Sequence, residues 1–141
     1  MKKFYSLSIV AIAAILLFSS CDKDQMLINQ LNGSWKVTSL KINGTESAAF
    51  LGVDDQTTVY TKCKAADGYC PAVVTDPSAG TTDNYEWSIS GDGTIFHWRD
   101  AGASSEQLMT ITDHSSTIIK MTYTYDLGGT TYTVEIVSEK Q

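Results

Sequence analysis

Two stretches of alternating residues, each folded about a glycine-bearing turn, constrain this chain more than any other feature. The first runs from Tyr85 to Arg99 with Asp92-Gly93 at its centre. A two-residue Asp-Gly turn takes positive φ at both positions and so matches the right-handed twist of the strands it joins. Pairing outward from it sets Ile89 against Phe96, Trp87 against Trp98 and Glu86 against Arg99. Directly opposed residues share a face of the sheet. Tyr85, Trp87, Ile89, Phe96 and Trp98 therefore line one face, and Glu86, Ser88, His97 and Arg99 the other. A slip of one residue would break the apolar cluster and the ion pair together.

The second hairpin runs from Ile118 to Val137 about Gly128-Gly129 and sets Tyr125 against Tyr132, Tyr123 against Val134 and Met121 against Ile136. Upstream, Gln107 to Thr112 joins it through a loop at His114-Ser115-Ser116, a length that predicts Ile111 opposite Ile119 and Met109 opposite Met121. Ser34 to Ile42 begins with Trp35 and Val37 on one face. Leu40 and Ile42 then break the alternation, which predicts a bulge near Ser39 ahead of an Asn43-Gly44 turn. Thr57 to Lys64 reads as one more strand. Ala65 to Thr82 reads as loop, with Asp67-Gly68, Pro71, Asp76-Pro77 and Ala79-Gly80 as its breakers. The helical candidate is Asp24 to Leu31, ended by Asn32-Gly33.

Consecutive antiparallel strands with one apolar and one Thr-rich face must bury the apolar face, on a second sheet or by closing on themselves. Aromatic-rich inner faces suit closure, so the expected class is all-β, an antiparallel up-and-down barrel with a short N-terminal helix.

The N-terminus carries a different signal. Lys2-Lys3 precede an apolar run from Phe4 to Phe18. Fifteen residues rise about 22 Å as a helix, short of a hydrocarbon core of ~30 Å. That fits a cleaved signal peptide better than a permanent span. Phe18-Ser19-Ser20-Cys21 resembles the lipobox of bacterial lipoproteins, with Phe18 where leucine is usual. In that family the chain is cut before the cysteine, which carries lipid. The alternatives are an uncleaved anchor with an incidental cysteine and ordinary secretory cleavage near Ser20. The resemblance implies a signal peptide over 1–20, a lipidated tether and short helix over 21–31, and a barrel domain over 32–141. It also implies attachment to the bilayer through Cys21 in the cell envelope, at the outer membrane and either periplasmic or surface-exposed. Asp22-Lys23-Asp24-Gln25 stand where such proteins carry sorting residues.

Leu31-Asn32-Gly33-Ser34-Trp35 resembles the opening of lipocalin-like domains, a short helix followed by Gly-x-Trp at the first strand. The resemblance implies that Gly33 and Trp35 close one end of the barrel. It also implies a late arginine packed on the tryptophan. The chain's one arginine, Arg99, lies too early and is expected to face outward.

Formal net charge is −6, with 10 basic against 16 acidic residues. Loss of Lys2 and Lys3 would make the remainder more acidic still. A chain this acidic lacks the basic face that phosphate binding needs, so nucleic acid is excluded as a partner. Cys63 and Cys70 are too far apart for a zinc knuckle; outside the cytoplasm a disulfide is the better reading, with free thiols or a metal site as the other options. His97 falls on the outer face and His114 in a loop. No catalytic Ser-His-Asp pattern, metal ligand set or phosphate loop is legible, and Glu86 and Glu135 face outward opposite or near Arg99 and Lys120. The expectation is no catalysis, no cofactor and no metal. Tyr85, Trp87, Phe96, Trp98, Tyr123, Tyr125 and Tyr132 are either simply core or the wall of a pocket for a small apolar or amphipathic ligand. The alternative function is glycan or protein binding through loops and outer face, with the barrel filled. A continuous cavity of about 300 Å³ or more separates the two readings.

Overall fold

A computed structural model describes residues 22–141. The expected signal segment 1–20 and the lipidation residue Cys21 lie outside the described residues. Helix α1 (Lys23–Leu31) leads into β1 (Gly33–Ile42), the two-residue β2 (Thr45–Glu46), a one-turn helix α2 (Ala48–Leu51) and β3 (Thr57–Tyr60). Then come β4 (Cys70–Asp76), β5 (Thr81–Ser90), β6 (Ile95–Asp100), β7 (Gln107–His114), β8 (Ile118–Leu127) and β9 (Thr130–Lys140). Apart from β2, which pairs only with β1, each strand pairs with its neighbours in chain order, and β1 also pairs with β9. The result is the expected up-and-down barrel of eight antiparallel strands, without a free sheet edge where the ladders are complete.

The β5–β6 register is the one that the turn predicts, with Trp87 opposite Trp98 and Glu86 opposite Arg99. Asp92 (φ 58°) and Gly93 (φ 81°) take the left-handed backbone that this turn demands. Trp87 and Phe96 are fully buried inside, while Arg99 binds Glu86 at 2.7 Å outside. The β8–β9 register also holds, with Tyr125 opposite Tyr132. In β1 the expected bulge falls between Val37 and Ser39 and returns Leu40 to the interior.

Three expectations are corrected. β7 runs on to His114 and its loop is Ser115 to Thr117, so Ile111 faces Met121 rather than Ile119. A bulge at Thr112 absorbs the extra residue, and Met109, Ile111, Ile119 and Met121 are all buried regardless. The segment read as loop holds a full strand, β4, paired on both sides. Pro71 is tolerated at its second position, where its carbonyl accepts hydrogen bonds from Thr61 N–H (3.0 Å) and the Trp87 indole (3.1 Å). β3 stops at Tyr60, short of the expected Lys64. Cys63 and Cys70 form the disulfide that their spacing suggested.

Helix α1 is more than a tether. Leu27, Ile28 and Leu31 are buried and fill one end of the barrel. Asp22 caps it by accepting from Gln25 N–H at 3.1 Å, and Asp24 accepts from Gly93 N–H at 2.7 Å. Gln25 reaches the disulfide loop, accepting from Ala65 N–H (2.7 Å) and donating to the Cys63 carbonyl (3.0 Å). Asp22, Asp24 and Gln25 therefore seat the helix. Trp35, 1% exposed, donates its indole N–H to the Leu31 carbonyl at 2.7 Å. Lys140 lies over its other face, 5.5 Å from the ring, and donates to the Gln30 carbonyl at 3.0 Å. A cation does pack on this tryptophan, but it is lysine from β9.

Truncating Trp87 to Ala removes a large, fully buried side chain and should cost roughly 3–5 kcal/mol in urea unfolding. Trp98 is only half-buried and should cost less. Truncating Glu86 should cost no more than about 1 kcal/mol, because water still screens this partly exposed pair on the outer face. Equal losses for Trp87 and Glu86 would contradict this packing.

Candidate ligand cavity

The helix-sealed end leaves the other end of the barrel as the mouth, where the β1–β2, β4–β5 and β8–β9 turns and α2 lie. Below it is an internal cavity of about 230 Å³. Trp35 and Tyr60 line its deep part, Tyr85, Phe96 and Trp98 one wall, and Met109, Met121 and Ile136 the other. Gln56, Thr58 and Ser138 add polar groups. Such a lining, mostly aromatic and aliphatic with a few polar atoms, is that of a small-molecule site. The volume falls short of the 300 Å³ mark, so the interior is neither filled nor roomy.

The aromatic wall is one packed unit. Tyr85 stacks on Trp98 with centroids 4.7 Å apart, Phe96 lies between Trp87 and Trp98, and Tyr60 meets Trp87, Phe96 and Trp98 edge-on at 5.1–6.1 Å. Burial pushes the Tyr60 hydroxyl well above the usual phenol range, so it stays a neutral donor. Of the seven aromatics expected at a pocket, Tyr85, Phe96 and Trp98 line this cavity. Trp87 is sealed in the core. Tyr123 lines a separate cleft in the wall between β7 and β8. Tyr125 and Tyr132 stack at 5.2 Å on the projecting β8–β9 hairpin. Gly33 and Trp35 stand at the sealed end. Tyr60, Gln56, Thr58 and Ser138 were missed. The first three lie in or beside a short strand within the irregular middle, which offered no face to assign.

At the mouth, α2 presents Phe50, 91% exposed, and Leu51 to solvent. Its base is held by Glu46, whose carboxylate accepts from the Ser39 hydroxyl (2.5 Å), Leu40 N–H (3.0 Å) and Ala48 N–H (3.2 Å). The Ser39 bond first, then those from Leu40 and Ala48, hold this acid below the usual carboxylate range.

The outer face of β5–β7 carries a hydrogen-bonded chain that the sequence pattern did not single out. His97 Nε2 lies 2.7 Å from Ser90 Oγ, and Nδ1 lies 3.1 Å from Glu106 Oε2. The Tyr69 hydroxyl binds the same carboxylate, and its ring carries Arg99 at 3.6 Å. Hydrogen bonds from Tyr69 and then His97 lower the Glu106 pKa. The order Ser-His-Glu is that of a hydrolytic relay. A relay also needs a concave place beside the serine for a reacting atom. None of the three cavities described for this molecule takes in Ser90 or His97. These contacts tie the disulfide loop to β6 and to the residue ahead of β7.

No family model matches the chain, and no curated protein matches it. Solved structures do. An odorant-binding protein, OBP1, superposes with a TM-score of 0.54 at 16% identity, covering 80% of this chain and 73% of its own. Similarity at that level establishes the fold, a lipocalin-like eight-stranded barrel with a short helix.

The Glu46 contacts predict a pH-sensitive mouth. The folded pKa lies below the unfolded one, so this stabilisation is complete above the ordinary carboxylate range. It is lost as pH falls through the lower folded value. Amide exchange at Leu40 and Ala48, compared with Trp35 in the sealed end, should quicken selectively over that window. Glu46→Ala should bring the fast exchange to neutral pH.

Proposed function

We propose that this chain is a binding protein, held on a cell-envelope membrane by lipid on Cys21, that carries a small apolar or amphipathic molecule in its barrel without transforming it. The observation that carries the reading is the aromatic cavity of about 230 Å³ beneath the open mouth. A packed core would leave no such space, since protein interiors hold few voids larger than a water molecule. Polar Gln56 and Ser138 among apolar walls suit a ligand with one or two hydrogen-bonding atoms. The likeness to an odorant-binding protein supports the same class of task. For the anchor, the support is the Ser19-Ser20-Cys21 pattern after an apolar run. Among the described residues no helix is long and apolar enough to cross a membrane. Exposed Phe50 and Leu51 favour a second reading, a protein contact made by the rim.

Native mass spectrometry of protein purified from its own cells should show a retained small molecule. Ser138→Phe, which fills the cavity, should lose that mass while the melting temperature shows that the barrel is intact. Retention of the mass in the filled variant would place the ligand elsewhere. Cys21→Ala should move the protein to the soluble fraction or leave it unprocessed. Membrane attachment after signal removal would rule out this anchor.

A further inference from the structure

The wall of the barrel is incomplete on one side. β7 and β8 pair from His114↔Ile119 to Thr110↔Thr122 and stop there. Towards the mouth, Gln107 to Met109 pair with β6 alone, and Tyr123 to Leu127 pair with β9 alone. Two strand edges thus face each other across a seam. A cleft of about 480 Å³ occupies it. Leu108, Thr110, Thr122 and Thr124, from the outer face, line this cleft together with Met109 and Tyr123, which point inward. A cleft lined from both faces of one sheet crosses that sheet. Met109 lines the inner cavity as well, so its side chain stands between the two spaces where they approach. Methionine has three rotatable bonds and repacks at small cost, which suits a movable partition.

We infer that the β7–β8 seam is a second half of the binding site, and that the ligand is a single-chain amphiphile with an uncharged, hydrogen-bonding head. This rests on the reading above and extends it. The inner cavity alone is smaller than the ~300–1,000 Å³ usual for ligand sites, and the seam supplies the missing room. The alkyl chain lies against Phe96, Trp98, Met109 and Met121. The head lies in the seam, where the unpaired strand edges offer backbone N–H and C=O groups and three threonines offer hydroxyls. No charged residue lines the cleft. Glu135 stands opposite Thr122, and Lys120, two residues along β8, is already paired with Asp113 at 3.2 Å, so a carboxylate is disfavoured. An ammonium head would meet no carboxylate in the lining. A neutral head, such as a glycerol ester, an amide or an alcohol, is what remains.

The experiment compares 1-monododecanoylglycerol with dodecanoate at pH 8, each displacing an apolar fluorophore from the purified full-length protein. The monoacylglycerol should bind more tightly to the wild type. Thr110→Lys puts a cation on an exposed seam position whose outer-face neighbours are Ile95, Leu108, Thr112 and Thr122. It should raise dodecanoate affinity by about fivefold relative to the monoacylglycerol, the effect of one partly exposed ion pair. Ser116→Lys, which adds the same charge at the sealed end, should change nothing. Met109→Ala, which removes the partition, should shift the preferred alkyl length upward. If both probes bind the wild type equally, or if the two lysine variants behave alike, or if Met109→Ala leaves the length preference unmoved, the seam site is wrong while the cavity reading stands. If the wild type binds neither probe nor fluorophore, both fail.

Discussion

The hydrogen bond from the Trp35 indole to the Leu31 carbonyl, buried under helix α1, is the contact on which the rest depends. An up-and-down barrel has two open ends, and its apolar lining is stable only if water is kept from at least one. A nine-residue helix would not persist alone in water. Seated on Trp35, it becomes a stopper whose inner side is Leu27, Ile28 and Leu31. Its outer contacts then gather the Asp92-Gly93 turn through Asp24 and the disulfide loop through Gln25. Three distant parts of the chain are thereby held to one end of the molecule, and the other is left free to open.

The same end explains the Gly-x-Trp pattern. Gly33 has φ 127°, a region that side chains rarely adopt. A Cβ there would come within 3.0 Å of the Lys140 Cε. Glycine lets the lysine stem pass to reach both the tryptophan face and the Gln30 carbonyl near the end of the helix. The family resemblance implied an arginine at this place, a flat cation that stacks well on indole, and the chain's one arginine lies elsewhere. Lysine gives a weaker stack and compensates with its hydrogen bond to Gln30 at the helix C-terminus, where the dipole favours positive charge.

Much of the fold was legible where turn chemistry and alternation agreed. Asp92-Gly93 and Gly128-Gly129 each permit one register, and the side chains of only that register make sense. Legibility failed where a bulge absorbed a residue, as at Thr112, because loop length alone cannot reveal an unpaired residue inside a strand. It failed again at β4, whose Pro71 and flanking turns mark it as irregular although the strands on both sides supply its partners. The cavity was half legible for the same reason. Tyr85, Phe96 and Trp98 sit on a readable hairpin, whereas Thr58 and Tyr60 lie on a strand that was expected but had no legible partners, and Gln56 lies just ahead of it. The relay-like chain of Ser90, His97 and Glu106 was hidden by separation, since Glu106 lies ahead of β7 and reaches His97 only through the β6–β7 register.

Helix α1 starts at Lys23, directly after its cap, and it stoppers the end of the barrel opposite the mouth. A lipid on Cys21 would therefore be joined to a rigid body through a single residue, Asp22, rather than through a long flexible leash. On the proposed anchor the barrel would stand upright like a cup on its base, with its rim and the proposed seam turned towards the aqueous space. Cargo would be handed across that gap, from another surface or another protein, instead of being drawn directly from the leaflet in which the base is planted.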